Sequence, residues 1–243
     1  MIKEDGFSLI ELAVSLFAAS LLITLIMQQF LICKRQFIQM QGRLQHLTEI
    51  EELSNFIRGS IRRAGFTPCG GISSLQTIDK RLGKRGLVAV ENVTGLKINR
   101  MDEHFALLIK QVNPTQILVK TDEPFDKEKP IIVADCYHAE VQKISQARKT
   151  TAGTLLSLSQ PLEFQYEAPV YIGEWIEESF FIKKNNQGEN ALFYEQNHVD
   201  ELSSLVDNLS IELNTFKNKT IVEADLGAKL SQKIKIITEI RAG

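Results

Sequence analysis

No surplus of positive charge marks this chain. Its 243 residues carry 28 Lys+Arg against 30 Asp+Glu, a formal net charge of -2, which argues against a nucleic-acid-binding domain, where a basic excess is the rule. Cysteine is scarce: there are 3, Cys33, Cys69 and Cys136, and none has the short paired spacing of a zinc or redox site. The 4 histidines, His46, His104, His138 and His198, are scattered. No Gly-rich phosphate loop of the usual spacing is present. No catalytic constellation, metal site or cofactor is therefore expected. His138, two residues past Cys136, reads as a strand or surface histidine rather than a ligand, and Trp175, the sole tryptophan, as core. Glycine and proline are missing between Phe7 and Gln41, and charge is missing from Leu12 to Met27. Neither an internal repeat nor a low-complexity linker breaks the chain.

That uncharged stretch is what stands out. Roughly 20 consecutive apolar residues cross a bilayer as a helix, and Phe7 to Cys33 exceeds this with one charge, Glu11. A carboxylate in a membrane helix costs about 2.5–3.5 kcal/mol at mid-bilayer and less near an end, so Glu11 calls for a cationic partner. Two plainer readings are a secretory signal peptide, with its shorter apolar run and a small-residue cleavage site, and a simple anchor in which Glu11 is incidental. No second run of membrane length follows. The class is a single-pass protein with one soluble domain.

Gly6-Phe7-Ser8-Leu9-Ile10-Glu11-Leu12, ahead of the apolar helix, resembles the processing site of type IV prepilins. The resemblance implies that residues 1–6 are a leader removed by a prepilin peptidase, which cuts between Gly6 and Phe7. It implies that Phe7 becomes N-methylated and that Glu11 is the carboxylate that docks the subunit into a filament. A neighbour's Glu11 would neutralise the freed amine in an apolar bundle, where water screens little. The leader holds Lys3 against Glu4 and Asp5. Lys34 and Arg35 follow the apolar segment; the positive-inside rule alone would put the large domain in the cytoplasm, whereas the resemblance implies a single-pass inner-membrane protein with its head in the periplasm.

From residue 34 to 64 the pattern stays helical but one-sided. Phe37, Met40, Leu44, Leu47, Ile50, Leu53, Ile57, Ile61 and Ala64 recur at steps of three and four, with Arg35, Gln39, Arg43, Glu49, Glu52 and Arg58 between them. This spacing predicts an amphipathic continuation of the membrane half, residues 7–33. Gly42 and Gly59 weaken it without breaking it, and Gly65, Pro68 and Gly70-Gly71 end it. Residues 65–243 read as a β-rich head. Short apolar runs such as Gln116–Lys120, Ile131–Val133, Ser179–Lys183, Ser210–Leu213 and Ile234–Thr238 alternate with turn signals, among them Asn185-Asn186-Gln187-Gly188. Val199 to Val206 reads as a short helix. The expected fold class is α+β, a long N-terminal helix packed on an antiparallel sheet, similar to the pilin fold.

Three looser matches narrow the resemblance to the PilW-type minor pilins. They are Arg62-Arg63-Ala64-Gly65-Phe66-Thr67-Pro68-Cys69, Ile131-Ile132-Val133-Ala134-Asp135-Cys136 and Leu205-Val206-Asp207-Asn208-Leu209. In an oxidising periplasm Cys69 and Cys136 pair as a disulfide that stabilises by roughly 4 kcal/mol on the chain-entropy model; otherwise they are two buried thiols. Cys33 reads as a packed thiol where the helix leaves the apolar layer. Lys80-Arg81-Leu82-Gly83-Lys84-Arg85, the densest charge cluster, reads as a solvated loop. The resemblance implies assembly rather than catalysis: a minor pilin that helps initiate a type IV pilus, at or near its tip. Its partners would be other minor pilins, the major pilin, the prepilin peptidase and the inner membrane, with no nucleic acid. The alternatives are a pseudopilin of a type II secretion system and, in another class, a membrane-anchored binding protein or enzyme.

Overall fold

A computed structural model describes residues 9–121, 125–216, 219–228 and 233–240. The chain forms two compact units, residues 1–52 and 53–243. The first is helical throughout its described residues. Helix α1, Leu9–Arg63, runs without interruption through 55 residues, passing both Gly42 and Gly59. Arg62 and Arg63 occupy its last turn, where cations complement the helix dipole. It stops where the sequence places a stop. Gly65 takes a φ of 69°, a left-handed conformation that costs glycine nothing. A Cβ at Gly65 would lie 2.8 Å from the Ala89 Cβ, so both backbone and space require glycine there.

In the second unit the last turns of α1 present one face, Leu53, Ile57, Ile61 and Ala64, to the core. Among the described residues fourteen strands follow: β1 Gln76–Asp79, β2 Lys84–Arg85, β3 Val90–Asn92, β4 Leu96–Asn113, β5 Gln116–Lys120, β6 Pro130–Ala134 and β7 His138–Thr150. They continue as β8 Gly153–Leu158, β9 Tyr171–Lys184, β10 Asn190–Glu195, β11 Val199–Ser203, β12 Val206–Phe216, β13 Lys219–Ala228 and β14 Lys233–Glu239. The first eleven make one sheet and the last three another.

The larger sheet closes on itself. β4 pairs β5, β5 pairs β8 and β8 pairs β7, while β6 bridges β7 on one side and β9 on the other, and β9 returns to β4. Every pair in this ring is antiparallel. Three consecutive strands, β6, β7 and β8, are joined in sequence, and β9 returns by a longer connection to lie beside β6, which is a Greek key. Alternate residues point inward. Ile117 and Val119, Ile131 and Val133, Leu156 and Leu158, with Ile144 and Ile172, fill the ring as a core of their own. Register shifts in β4 at Leu108/Lys110 and in β7 at Ile144/Gln146 are the bulges that let long strands bend round such a ring.

The outer faces of β4, β6, β7 and β9 carry a second core. Ile98, Ile132, Val141, Trp175 and Phe180 meet the end of α1 and the three-stranded sheet β12-β13-β14 there. Val222, Ala224 and Leu226 supply the buried face of β13 at the strand period of two. Phe56 from α1 stacks edge-on with Phe180 and Tyr194, centroids 5.7 and 5.3 Å apart, contacts of the kind aromatic rings favour.

A long apolar helix and a large, mostly antiparallel β domain are thus as expected. Three details differ. The sheet is not a single open layer beneath a helix but contains a closed ring. One pair is parallel, β1 with β7, in the register Thr77↔Ala139. Residues 199–206 are not a helix: Val199–Ser203 is β11, paired antiparallel with β10, and β12 begins at Val206. Val199, Leu202 and Val206 mimic helical spacing, yet pairing with β10 satisfies the backbone better than one isolated turn. The expected turn at 185–188 is present, with the Gly188 N–H donating to the Asn185 carbonyl at 3.0 Å.

Candidate functional site

The apolar half of α1 is where sequence and structure converge. From Leu9 to Leu47 its large apolar side chains are exposed, Leu9 at 85% and Phe17 at 67% among them. Uncovered apolar surface on this scale marks a lipid or protein contact. The helix is long and apolar enough to cross a membrane. At 1.5 Å per residue, residues 9–33 reach about 37 Å, against about 30 Å of hydrocarbon. The hydroxyl side chains of this segment are satisfied internally. Ser15 donates to the Leu12 carbonyl at 2.9 Å, Ser20 to Phe17 at 2.8 Å and Thr24 to Ser20 at 2.8 Å, as groups in hydrocarbon must be.

Glu11 is the one charged residue of this segment. It lies in the first turn of α1, exposed, and no hydrogen bond or ion pair engages it among the described residues. The helix dipole favours a carboxylate at this end, but a partner charge has to come from elsewhere. Gly6 and Phe7, the expected cleavage and methylation site, lie outside the described residues. Exposure does not end with the membrane-length segment: Phe37, Ile38, Met40, Leu44 and Leu47 remain uncovered, so the apolar face extends past Lys34 and Arg35. Cys33 is free and exposed, not packed as the sequence suggested.

In the head, Cys69 and Cys136 form a disulfide with Cα atoms 5.0 Å apart, across 67 residues of sequence. It ties the segment after α1 to the turn between β6 and β7. Beside it the Asp135 carboxylate is fully buried and accepts backbone N–H groups from Tyr137 and Glu167, each at 2.8 Å, and from His138. Burial alone would raise this carboxyl, but the three N–H donors and the His138 ring outweigh it and hold it below the ordinary carboxylate value. His138 is the strand histidine expected: its ring stacks on Phe164 with centroids 4.8 Å apart.

The basic run at 80–85 is a solvated loop only in part: residues 82–85 are exposed, whereas the Lys80 and Arg81 side chains are only 7% and 14% exposed. It turns between β1 and β2 and fastens that turn to the connection between β8 and β9. Lys80 reaches the buried Glu140 at 3.4 Å and the Pro161 carbonyl. Arg81 grips Asp79 through two nitrogens, at 2.7 and 3.0 Å, and Glu177 at 3.0 Å. Burial works to lower Arg81, yet its two carboxylates hold it well above the ordinary value, and Arg81 in turn holds Glu177 low against burial. Arg85 pairs with Glu163 at 2.7 Å. A cavity of about 600 Å³ lined by Lys80, Arg81, Lys97 and Lys143 opens here, but its first three cations are already engaged by carboxylates.

Glu140 itself was not legible beforehand. It is fully buried, and it accepts from the Gln142 amide at 2.8 Å and the Glu163 N–H at 2.9 Å. The Tyr166 hydroxyl, pushed up first by burial and then by Glu140, stays protonated beside it. The only signal in sequence was a Glu and a Gln at strand spacing, 140 and 142, amid apolar neighbours. Among the described residues no group of three or more His, Cys, Asp and Glu is arranged to hold a metal ion. Comparison with protein-family models, curated proteins and solved structures returned no match.

Proposed function

We propose that this chain is a pilin-like subunit, most similar to the PilW-type minor pilins, that works by assembly in the inner membrane and the periplasm. The observation that carries the reading is α1: an apolar surface uncovered beyond the reach of a bilayer, with a single carboxylate in its first turn, Glu11, that has no partner among the described residues. A simple anchor needs neither feature. A subunit that packs its helix against other helices needs both, since the carboxylate then meets an amine where water is excluded. The prepilin-like motif at residues 6–12 supplies that amine, at Phe7, after cleavage by the peptidase.

The disulfide supports the periplasmic side for the head. Such bonds persist in oxidising compartments, and this outweighs the two cations at Lys34 and Arg35 as a guide to orientation. In this reading the subunit joins other minor pilins and the major pilin to initiate a type IV pilus. The pseudopilin of a type II secretion system is the neighbouring reading, because the same helix and head would serve it. Deletion in the native host separates them: loss of pili and twitching supports the first, loss of protein secretion the second. Loss of neither removes both.

A further inference from the structure

The head sorts its charges in a way that its near-neutral total conceals. Residues 105–120 and 143–160 contain Lys110, Lys120, Lys143, Arg148 and Lys149, and not one Asp or Glu. A stretch of that length at this composition would hold about four acidic residues, interspersed with the basic ones as on most surfaces. These residues build β5, β8 and the adjoining stretches of β4 and β7, neighbours in the closed ring in the order β4-β5-β8-β7, while Asp102 and Glu103 lie farther back on β4 and Glu140 on β7. Ile117 and Val119 point into the ring, so Leu118 between them faces out. Its cross-strand partners are Lys110 on β4 and Leu155 on β8, and Leu155 is opposite Arg148 on β7. The outer wall therefore carries the buried Leu118 and the half-buried Leu155 between a cation at each end. Leu107 lies opposite Lys120 in the same wall, and Leu107, Ile109 and Val112 are exposed beside them. None of the five cations forms an ion pair among the described residues.

Residues 185–215 show the reverse. They hold Glu189, Glu195, Asp200, Glu201, Asp207 and Glu212, and no Lys or Arg. They form β10, β11 and most of β12, and β11 is one end of the larger sheet's strand order, with β2 at the other. Asp200 and Glu201 stand exposed on the β11 edge, with Val199 exposed next to them. Charge on an edge strand discourages indiscriminate strand pairing; charge of one sign leaves the edge open to a partner of the other.

We propose that the basic wall of the ring docks on the acidic β11 edge of a second copy of this chain. The two surfaces are complementary in charge and each has apolar side chains beside its charges. They are also different surfaces, so the contact is head to tail and leaves a free wall and a free edge at its ends. The inference rests on charge placement in the head, not on the pilus reading.

The test uses the full chain in a nonionic detergent, with mass followed by sedimentation at increasing protein concentration. Self-association is expected at about 50 mM salt and should weaken at least tenfold near 500 mM, because exposed charges are screened within a few ångströms there. K110E/K120E/R148E should lose it, as should D200K/E201K, while an equimolar mixture of the two variants should regain it. That recovery also shows both variants to be folded. Association that ignores salt and both reversals comes from the helix alone and overturns the proposal, as does a mixture that fails to recover. A native chain that stays monomeric at low salt, or a wall that binds anionic vesicles or duplex DNA in place of a second copy, overturns it equally.

Discussion

Replacing Glu140 with alanine should loosen the head substantially. The carboxylate is fully buried and is engaged by the Lys80 ammonium, the Gln142 amide and the Glu163 N–H, at 3.4, 2.8 and 2.9 Å. The Lys80 side chain is itself only 7% exposed, so truncation strands a charge as well as two neutral donors. Breaking a buried ion pair from one side costs about 3–5 kcal/mol, a large part of the 5–15 kcal/mol typical of a domain. Urea unfolding reports it through the sole tryptophan, Trp175, which is 4% exposed. With a slope of about 2–3 kcal/mol per molar, the midpoint should fall by about 1.5 M. Glu140→Gln, which keeps the acceptor but loses the charge, should fall about half as far. E140A with K80M should cost less than the two single changes together, because the stranded charge is gone. A midpoint shift under about 0.3 M for E140A, or strict additivity in the pair, would refute the reasoning.

Three other outcomes follow from the structure. Removing the disulfide by Cys69→Ser with Cys136→Ser should destabilise the head by about 4 kcal/mol, given the 67 residues it closes; the same unfolding curve with and without reductant would contradict this. Asp135 and Glu177 are held below their ordinary values. The unfolded chain therefore binds protons that the folded one refuses, and stability present above about pH 4–5 is lost as pH falls through their folded values. Asp135→Asn should flatten this acid limb of a stability–pH profile; an unchanged limb contradicts the assignment. Glu11→Ala should leave membrane insertion intact while lowering recovery in assembled fibres at least about tenfold, as loss of a poorly screened charge pair would, and unchanged recovery counts against its docking role.

The helix was readable because its signals are local. The absence of breakers, the steps of three and four, and Gly65 all act within a few residues, and α1 ends at Arg63 as those signals require. Most strands in the middle of the head were readable for the same reason. Closure of the ring was not, because it depends on β6 meeting both β7 and β9, and no local pattern encodes which strands pair. β13 was missed: Lys219–Ala228 mixes charge with small residues, and its apolar set is short. The partners of the run at 80–85, Glu140, Glu163 and Glu177, were not readable because they lie far along the chain. For the site, the place of Glu11 in the first turn of the helix was legible from local pattern, and the bonded cysteine pair was one of two expectations, alongside two buried thiols. The exposure of apolar side chains past Lys34 needed three dimensions, since an amphipathic stripe reads alike whether it is covered or bare.

The central claim is that α1 begins at a residue exposed by cleavage and packs beside helices of other subunits. Mass spectrometry of the amino terminus, on protein recovered from the native membrane, tests it most directly. The account predicts a chain beginning at N-methylated Phe7, and a Gly6→Ala chain that keeps its leader. A native chain that still begins at Met1, or one cut on the far side of the apolar helix, would contradict it.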